Sequence, residues 1–256
     1  MIRIQEIYDE INSFAPFHTA MDFDNVGLLV GDGNKTVTRS LLSLDITTDV
    51  VKEAHEVGAE LIISHHPVIF QPLKNVSSKS PVYLLAQYGI SALCAHTNLD
   101  LAVGGVNTCL ANRLQLENVQ ALCVYGPEKL SEGLLGELPK AYTPQDFAKY
   151  VKQKLGCGGL KYTVGKGLIQ KVGICGGAGT DLLFQANSLG ADAFVSADSK
   201  HHELIAATEL GMTLVDAGHF CTEDVVIQPL LERLQQKFNE VVFKKSKKMQ
   251  DPAQYL

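Results

Sequence analysis

The 256-residue sequence has no tryptophan, and it also lacks the marks of several protein classes. No apolar run approaches the roughly 18 residues that a membrane span requires, and the N-terminal residues do not have the pattern of a signal peptide. Positive charge is not in excess, because the formal net charge is −6. We therefore expect no membrane association, and we do not expect nucleic acid as the main partner, since phosphate binding needs clustered positive charge.

The six cysteines form no Cys-x-x-Cys pair, and several of them lie in apolar, strand-like contexts. Buried free thiols of this kind are typical of proteins from reducing compartments, so we expect a cytoplasmic location. The only basic run, at residues 244–248, is interpreted as a solvated tail. Since 46% of the residues are hydrophobic, the chain can bury a substantial core.

A helix, a glycine, a short strand and a polar loop follow one another four times along the chain. Counted from each glycine, polar side chains fall seven or eight positions later, namely His65, His66, His96, Asp198 and His219. In open α/β sheets, ligands bind at the carboxyl ends of parallel strands. The repeated pattern therefore predicts that these side chains point into a shared site.

The second half of the chain repeats the first at an offset of 132 residues. Six residues match without a gap: Thr48, Asp49, Ala54, Gly58, Ala59 and Ser64 correspond to Thr180, Asp181, Ala186, Gly190, Ala191 and Ser196. The repeat predicts an α/β fold of two similar lobes with mixed sheets, packed as one unit, with a metal site between them at the strand ends. We place the lobes at residues 1–126 and 127–256, because the pattern changes from about residue 127 to 167.

Hydrophobic spacing and capping residues predict several local elements. We expect helices over residues 2–14, 82–88 and 106–114, and a strand over residues 41–46. A further helix begins at Thr143-Pro144, where threonine caps and proline occupies the first turn, and it ends near Gly156.

Three imidazoles and two carboxylates form the candidate metal ligands: His65, His66, Asp100, His219 and Glu223. His219 and Glu223 are four residues apart, so one helical turn places them on the same face. Asp100 lies past a strand end, where a carboxylate is costly to bury unless it is paired or bound to a metal. Mixed nitrogen and oxygen ligands suit transition metals rather than Ca or Mg, and Zn, Mn, Fe and Ni all stay open.

Five ligands shared by two ions leave coordination positions for water, which is typical of catalytic sites. Two ions about 3.5–4 Å apart can lower the pKa of a bridging water and polarise a phosphoryl or carbonyl oxygen. His96 and Asp198 are candidate proton carriers. The alternative is that these histidines are structural, as a single strand-end histidine usually is. The adjacent pair before Pro67, with further histidine and acid clusters at equivalent strand ends, favours the metal site.

Two other motifs have simpler interpretations. The glycine-rich stretch at residues 173–179 fails the dinucleotide fingerprint, because the third glycine would fall at Leu182, and it has no Walker lysine. A tight turn is favoured, and a site for an anionic group of a substrate is the alternative. The second histidine pair, His201-His202, is predicted to begin a helix at the surface.

Three motifs together resemble a known family: Ser64-His65-His66-Pro67, His96-Thr97-Asn98-Leu99-Asp100 and Gly218-His219-x-x-x-Glu223. They are similar to the dinuclear-metal Nif-three-like proteins, also called GTP cyclohydrolase I type 2 homologues, over nearly the whole chain. The family's usual Trp-Asp-Asn stands here as Phe23-Asp24-Asn25.

The resemblance implies a homohexamer whose metal sites face its interior. It assigns His65 and Asp100 to one ion and His66 and His219 to the other, with Glu223 bridging them.

These observations predict a divalent-metal-dependent hydrolase that acts on a small phosphorylated or nucleotide-like molecule, of which ring-opening hydrolysis of GTP is one version. The alternative is a metal-binding, chaperone or scaffold protein without turnover. Open coordination positions favour the enzyme, whereas the lack of a substrate-selecting motif favours the alternative.

Overall fold

The computed structural model describes residues 1–125 and 130–256. The chain divides into two units, one made of Met1–Leu99 and Ile227–Gln250 and the other of Asp100–Val226 and Asp251–Leu256. The predicted lobe boundary between residues 126 and 127 lies outside the described residues, so that domain assignment stays a prediction. In the described part of the chain, no helix has both the length and the apolar character needed to cross a membrane.

The strands, in chain order, are β1 (Ile2–Arg3), β2 (Gly27–Val30), β3 (Thr36–Val37), β4 (Arg39–Ser43), β5 (Leu61–Ser64), β6 (Ser91–Cys94), β7 (Glu117–Tyr125), β8 (Leu130–Tyr142), β9 (Lys161–Tyr162), β10 (Ile169–Ile174), β11 (Ala193–Ser196), β12 (Thr213–Asp216) and β13 (Val242–Lys245). The α-helices are α1 (Ile4–Phe14), α2 (Thr48–Glu56), α3 (Pro81–Tyr88), α4 (Thr97–Leu101), α5 (Val106–Arg113), α6 (Pro144–Leu155), α7 (Leu183–Ser188), α8 (His201–Leu210), α9 (His219–Glu223) and α10 (Ile227–Lys237).

The first unit is built on a five-stranded sheet in the order β13-β4-β5-β6-β2. The first four strands are parallel, and β2 pairs with β6 in the antiparallel sense. Every residue of β5 and β6 is buried, as expected for parallel strands. Helices α2 and α3 pack against this sheet through Val50, Ala54 and Leu85.

The second unit contains a six-stranded sheet in the order β7-β8-β10-β11-β12-β9. Strands β10, β11 and β12 are parallel, whereas the hairpin β7-β8 and the short strand β9 pair in the antiparallel sense. Its core includes Phe147 from α6 and Phe194 from β11.

Both units contain the same succession of strand, helix, strand, helix and strand: β4-α2-β5-α3-β6 in the first and β10-α7-β11-α8-β12 in the second. Gly58 and Gly190, which correspond in the sequence repeat, both follow a helix with positive φ, +68° and +78°. Glycine adopts this conformation without steric cost. The predicted α/β class, with two similar lobes and mixed sheets, is therefore confirmed.

Most predicted local elements are present. Thr143 caps α6 through its side-chain oxygen, and Gly156 follows that helix with φ of +70°. The long antiparallel hairpin β7-β8 was not predicted. Its second strand lies in the glycine-rich region, where apolar and polar residues do not simply alternate.

The sequence suggested that the basic run at residues 244–248 is a solvated tail, and this interpretation is wrong. Lys244 and Lys245 belong to β13, which pairs with β4 at the edge of the first sheet. The chain then turns back to Glu53, whose carboxylate accepts hydrogen bonds from the Ser246 hydroxyl and the Lys247 amide. Lysines on an edge strand also discourage pairing with other chains.

The Glu53 contacts predict a specific stability effect. Glu53→Ala removes a buried carboxylate and leaves its donors in the 246–248 segment without their acceptor, so the free energy of unfolding should fall by about 2–3 kcal/mol. Denaturant titration measures this change. Glu56→Ala, an exposed position on the same helix, is the matched control and should stay within about 0.5 kcal/mol of the unmodified protein. Equal effects of the two substitutions would contradict a role for Glu53 in holding the C-terminal strand.

Candidate metal centre

In the first unit, the carboxyl ends of three adjacent parallel strands carry the polar side chains. Asp45 follows β4, His65 and His66 follow β5, and His96 follows β6. The three histidines each offer one ring nitrogen, and these atoms lie within 4.8 Å of one another. This grouping agrees with the sequence prediction that polar residues after successive strands converge.

His65 and His66 are held by different acceptors. His65 is fully buried, and its Nδ1 donates to the Ala95 carbonyl at 2.9 Å. His66 Nδ1 contacts Asp45 Oδ1 at 2.8 Å. A carbonyl or an ionised carboxylate can only accept, so Nδ1 carries a proton in each ring. In the neutral imidazole, Nε2 is then the nitrogen with the lone pair, which is the atom that binds a metal.

His96 is oriented in the same manner by Asp24. His96 Nδ1 lies 2.8 Å from Asp24 Oδ1, and the Thr97 amide and hydroxyl donate to Oδ2. Burial raises the pKa of the Asp24 carboxyl, but hydrogen bonds from His96 and Thr97 outweigh it and hold that pKa well below its usual range. Asp24 is therefore an ionised, buried anchor at neutral pH.

The second unit repeats this arrangement with other residues. Asp198 follows β11 and His219 follows β12, and His219 Nδ1 lies 2.6 Å from Asp198 Oδ2. On the opposite side of the ring, His219 Nε2 lies 2.9 Å from Glu223 Oε2. The predicted helical turn is present as α9, and it places His219 and Glu223 on one face. Asp198 holds a positive φ of +53°, which an aspartate adopts more readily than most residues.

The glycine-rich stretch makes room for Glu223. A Cβ built on Gly177 would lie 2.1 Å from Glu223 Oε1, and Gly177 has a φ of +62°. The backbone amides nearby have internal partners, because Gly176 donates to Asn107 and Gly177 to Thr222. The tight-turn interpretation is thus supported over the anion-site alternative, since these two N–H groups already have acceptors.

Asp100 lies in α4 and belongs to the second unit. Its carbonyl accepts from Asn107 Nδ2 at 3.1 Å, and Asn107 Oδ1 accepts from the Gly176 amide at 3.0 Å. Asn107 therefore connects the backbone of Asp100 to the glycine turn that accommodates Glu223.

The cysteines supply no evident nucleophile. Cys221 packs in the core of the second unit, where Cys157 also lies. Burial raises the pKa of Cys109 to about 11, so its thiol is protonated at neutral pH.

The donor chemistry fits a transition-metal ion. The first unit presents three histidines with the same protonated ring nitrogen, and the second presents an imidazole beside a buried carboxylate. Ligating histidines usually donate their other N–H to a carboxylate or carbonyl, which sets the tautomer and the ring orientation. The assignment of individual ligands to individual ions stays a prediction.

Sequence reasoning missed two residues of this site, Asp24 and Asp45. Asp45 was placed inside a strand over residues 41–46, but β4 ends at Ser43, so Asp45 occupies the same post-strand position as His66. The other strand-end candidates lie seven or eight positions after a glycine that ends a helix, and Asp45 is not part of that pattern. Asp24 precedes His96 by 72 residues and had no local signal other than its place in the Phe23-Asp24-Asn25 motif. Asp198, expected as a proton carrier, contacts His219 and orients its ring.

The fold and the site residues together define an α/β protein with a mixed sheet in each unit and a histidine–carboxylate candidate metal centre. The family model described as Duf34/NIF3 (NGG1p interacting factor 3) matches residues 2–252. The chain belongs to this family, and the predicted resemblance is confirmed.

Individual relatives agree with this assignment. A Clostridium perfringens protein named GTP cyclohydrolase 1 type 2 homolog is 33% identical over 263 residues, covering 100% of both chains. A Campylobacter jejuni protein of the same name is 31% identical over 259 residues, covering 99% of this chain and 100% of the other. A solved structure of a Bacillus cereus protein related to NIF3 superposes with a TM-score of 0.93 at 27% identity, covering 100% of this chain and 99% of that one.

The space beside Gly177 predicts a selective loss of metal binding. Gly177→Ala should displace Glu223, so the variant should retain less divalent metal after dialysis than the unmodified protein, as measured by elemental analysis. Gly167→Ala is the matched control, because it has a φ of +82° and no neighbouring atom within 4 Å of its Cβ. Both variants carry about 1–2 kcal/mol of backbone strain. Equal metal retention in the two variants would contradict the role given to Gly177.

The Asp24 carboxylate predicts a pH-dependent contribution to stability. Because the folded-state pKa lies below the unfolded value of about 4, this contribution is present above pH ~4 and is lost as the pH falls through the folded pKa. Asp24→Asn should lower the free energy of unfolding at pH 7 by about 2 kcal/mol, and the difference from the unmodified protein should shrink below pH ~4.

Urea titrations between pH 7 and pH 3 measure this difference, with exposed Asp22→Asn as the neighbouring control. A difference that is constant across the pH range would show that Asp24 does not act through its charge.

Proposed function

We propose that this protein binds two divalent transition-metal ions and hydrolyses a small phosphorylated or nucleotide-like molecule. The proposed ligands are His65, His66, Asp100, His219 and Glu223. The observation that carries the proposal is the common orientation of the histidines, each of which donates from Nδ1 to an oxygen acceptor. This pattern is typical of histidines that ligate metals through Nε2.

The acceptors of these hydrogen bonds have a defined role in the proposal. Asp45 and Asp198 keep a proton on Nδ1 of His66 and His219, which leaves Nε2 as the basic nitrogen. Gly177 keeps the space that the Glu223 carboxylate occupies. The ions would supply Lewis-acid activation of water and of the substrate oxygen.

His96 is the proposed proton carrier beside the ligands. It lies in the same cluster as His65 and His66, with ring centroids 5.1 and 5.4 Å away. Its Nδ1 is held by ionised Asp24, so the other ring nitrogen can take up and return a proton during hydrolysis.

A nucleotide-like substrate is supported by the relatives named GTP cyclohydrolase 1 type 2 homolog, since GTP is a nucleotide. The alternative function is that of a metal-binding protein without turnover, which could use the same site. Turnover that depends on the bound ions would distinguish the hydrolase from this non-catalytic protein.

The test compares two double-histidine variants. His65→Ala/His66→Ala should lose most of the bound metal and reduce hydrolysis of nucleotides or phosphate esters by at least about 100-fold. His201→Ala/His202→Ala, an exposed pair at the start of α8, should keep both. Elemental analysis of protein purified without a histidine tag measures the metal, and close to two ions per chain is expected.

Three outcomes separate the possibilities. A protein that takes up no Zn, Mn, Fe or Ni on incubation would refute the metal site. Full metal occupancy with no turnover on a broad substrate panel would favour the non-catalytic rival. Turnover that survives in the metal-depleted His65→Ala/His66→Ala variant would refute the hydrolytic role of the site.

The homohexamer and the cytoplasmic location, which follow from the resemblance and the cysteine pattern, stay predictions.

A further inference from the structure

Two phenylalanine side chains of the first unit are exposed beside the histidine cluster. Phe23 is 63% exposed and Phe70 is 44% exposed. Their ring centroids are 6.4 Å apart in an edge-to-face arrangement, and the Phe70 centroid lies 6.3 Å from that of His96. Exposed apolar surface bordered by polar residues is typical of a ligand-binding surface.

Hydrogen bonds hold both aromatic residues in these positions. Asn25 Nδ2 donates to the Ile69 carbonyl at 2.6 Å, which joins the turn carrying Phe23 to the residue before Phe70. Asp24, between Phe23 and Asn25, accepts from His96. The two rings are therefore tied to one another and to the histidine that borders them, instead of lying on independent loops.

The chemistry of this surface selects a flat ligand. Phenyl rings offer π-faces and edges but no hydrogen-bonding atom, so they favour stacking with another aromatic ring regardless of its substituents. His96 supplies a polar group next to the rings. A molecule that fits has a planar ring at one end and a polar, reactive group at the other.

We propose that Phe23 and Phe70 form an aromatic platform that binds the heteroaromatic ring of a nucleotide-like substrate beside the histidines. This inference rests on the proposed function, because it names the part of that substrate which the first unit recognises. The platform selects for an aromatic ring, and the histidine cluster faces the polar portion of the same molecule.

The absence of tryptophan from the chain allows a direct test. Phe70→Trp introduces a single tryptophan at the platform, and stacking of a base on the indole should quench its fluorescence. In the metal-loaded protein, GTP and ATP should quench saturably, whereas inorganic tripolyphosphate should not, since it has the phosphates but no ring. Phe184→Trp, at a position in the second unit that is 61% exposed, is the matched control and should not respond saturably.

A second variant tests the partner ring. Phe23→Ala in the Phe70→Trp background should weaken nucleotide binding by about tenfold or more. Because both side chains are exposed, the folded state should be retained, and circular dichroism checks this point. Metal content should not change in either variant, so loss of the platform is distinguishable from loss of the metal site.

Several results would overturn the platform. Quenching by neither nucleotide, equal quenching in the Phe184→Trp control, or an unchanged affinity after Phe23→Ala would each do so, even if the metals and turnover are as proposed. Removal of both rings could instead change the molar mass of the protein, as measured by light scattering, and leave nucleotide binding unaffected. That result would assign the surface to contact with a second copy of the chain. Failure of the proposed function would be seen in a different measurement, because the unmodified protein would then lack bound metal or turnover.

Discussion

The hydrogen bond from a histidine Nδ1 to an oxygen acceptor is the interaction on which the site depends. In the first unit these bonds also cross between strands, because Asp45 after β4 holds His66 after β5, and His65 donates to Ala95 after β6. The parallel register of β4, β5 and β6 therefore determines which acceptor meets which ring. A slip of one residue would turn every side chain to the other face and separate these partners.

The second unit reaches the same chemistry through different residues. Asp198 after β11 holds His219 after β12, as Asp45 after β4 holds His66 after β5. The first of the three parallel strands in the second unit, β10, is followed by the glycine turn, which contributes space for Glu223 instead of a side chain. In the sequence repeat β5 corresponds to β11, so Asp198 stands in the place of His66, and the orienting carboxylate follows the second parallel strand instead of the first. The repeat thus preserves the pairing of a carboxylate with a histidine after the next strand, but not the strand that carries each residue.

Local patterns predicted the elements whose signals are local. Thr143 and Gly156 bracket α6 because capping depends on neighbouring residues only, and the strand-end histidines were found because glycine ends the preceding helix at a constant distance. Asp24 could not be found in this way, since its partner His96 lies 72 residues away and the contact depends on tertiary folding. Asp45 was missed for a different reason: the apolar pattern predicted a strand over residues 41–46, whereas β4 ends at Ser43 and leaves Asp45 after the strand.

The pairing of β13 with β4 has a consequence for the order in which the protein can fold during synthesis. Ser246 meets Glu53 across 193 residues of sequence, so the first sheet has an unfilled edge at β4 while the whole second unit is being made. At typical translation rates this interval lasts on the order of 10 s. Nascent chains on one messenger are close together, and an open strand edge is a template for pairing between them. We expect the N-terminal segment to be the part of this protein with the greatest need of a chaperone on the ribosome.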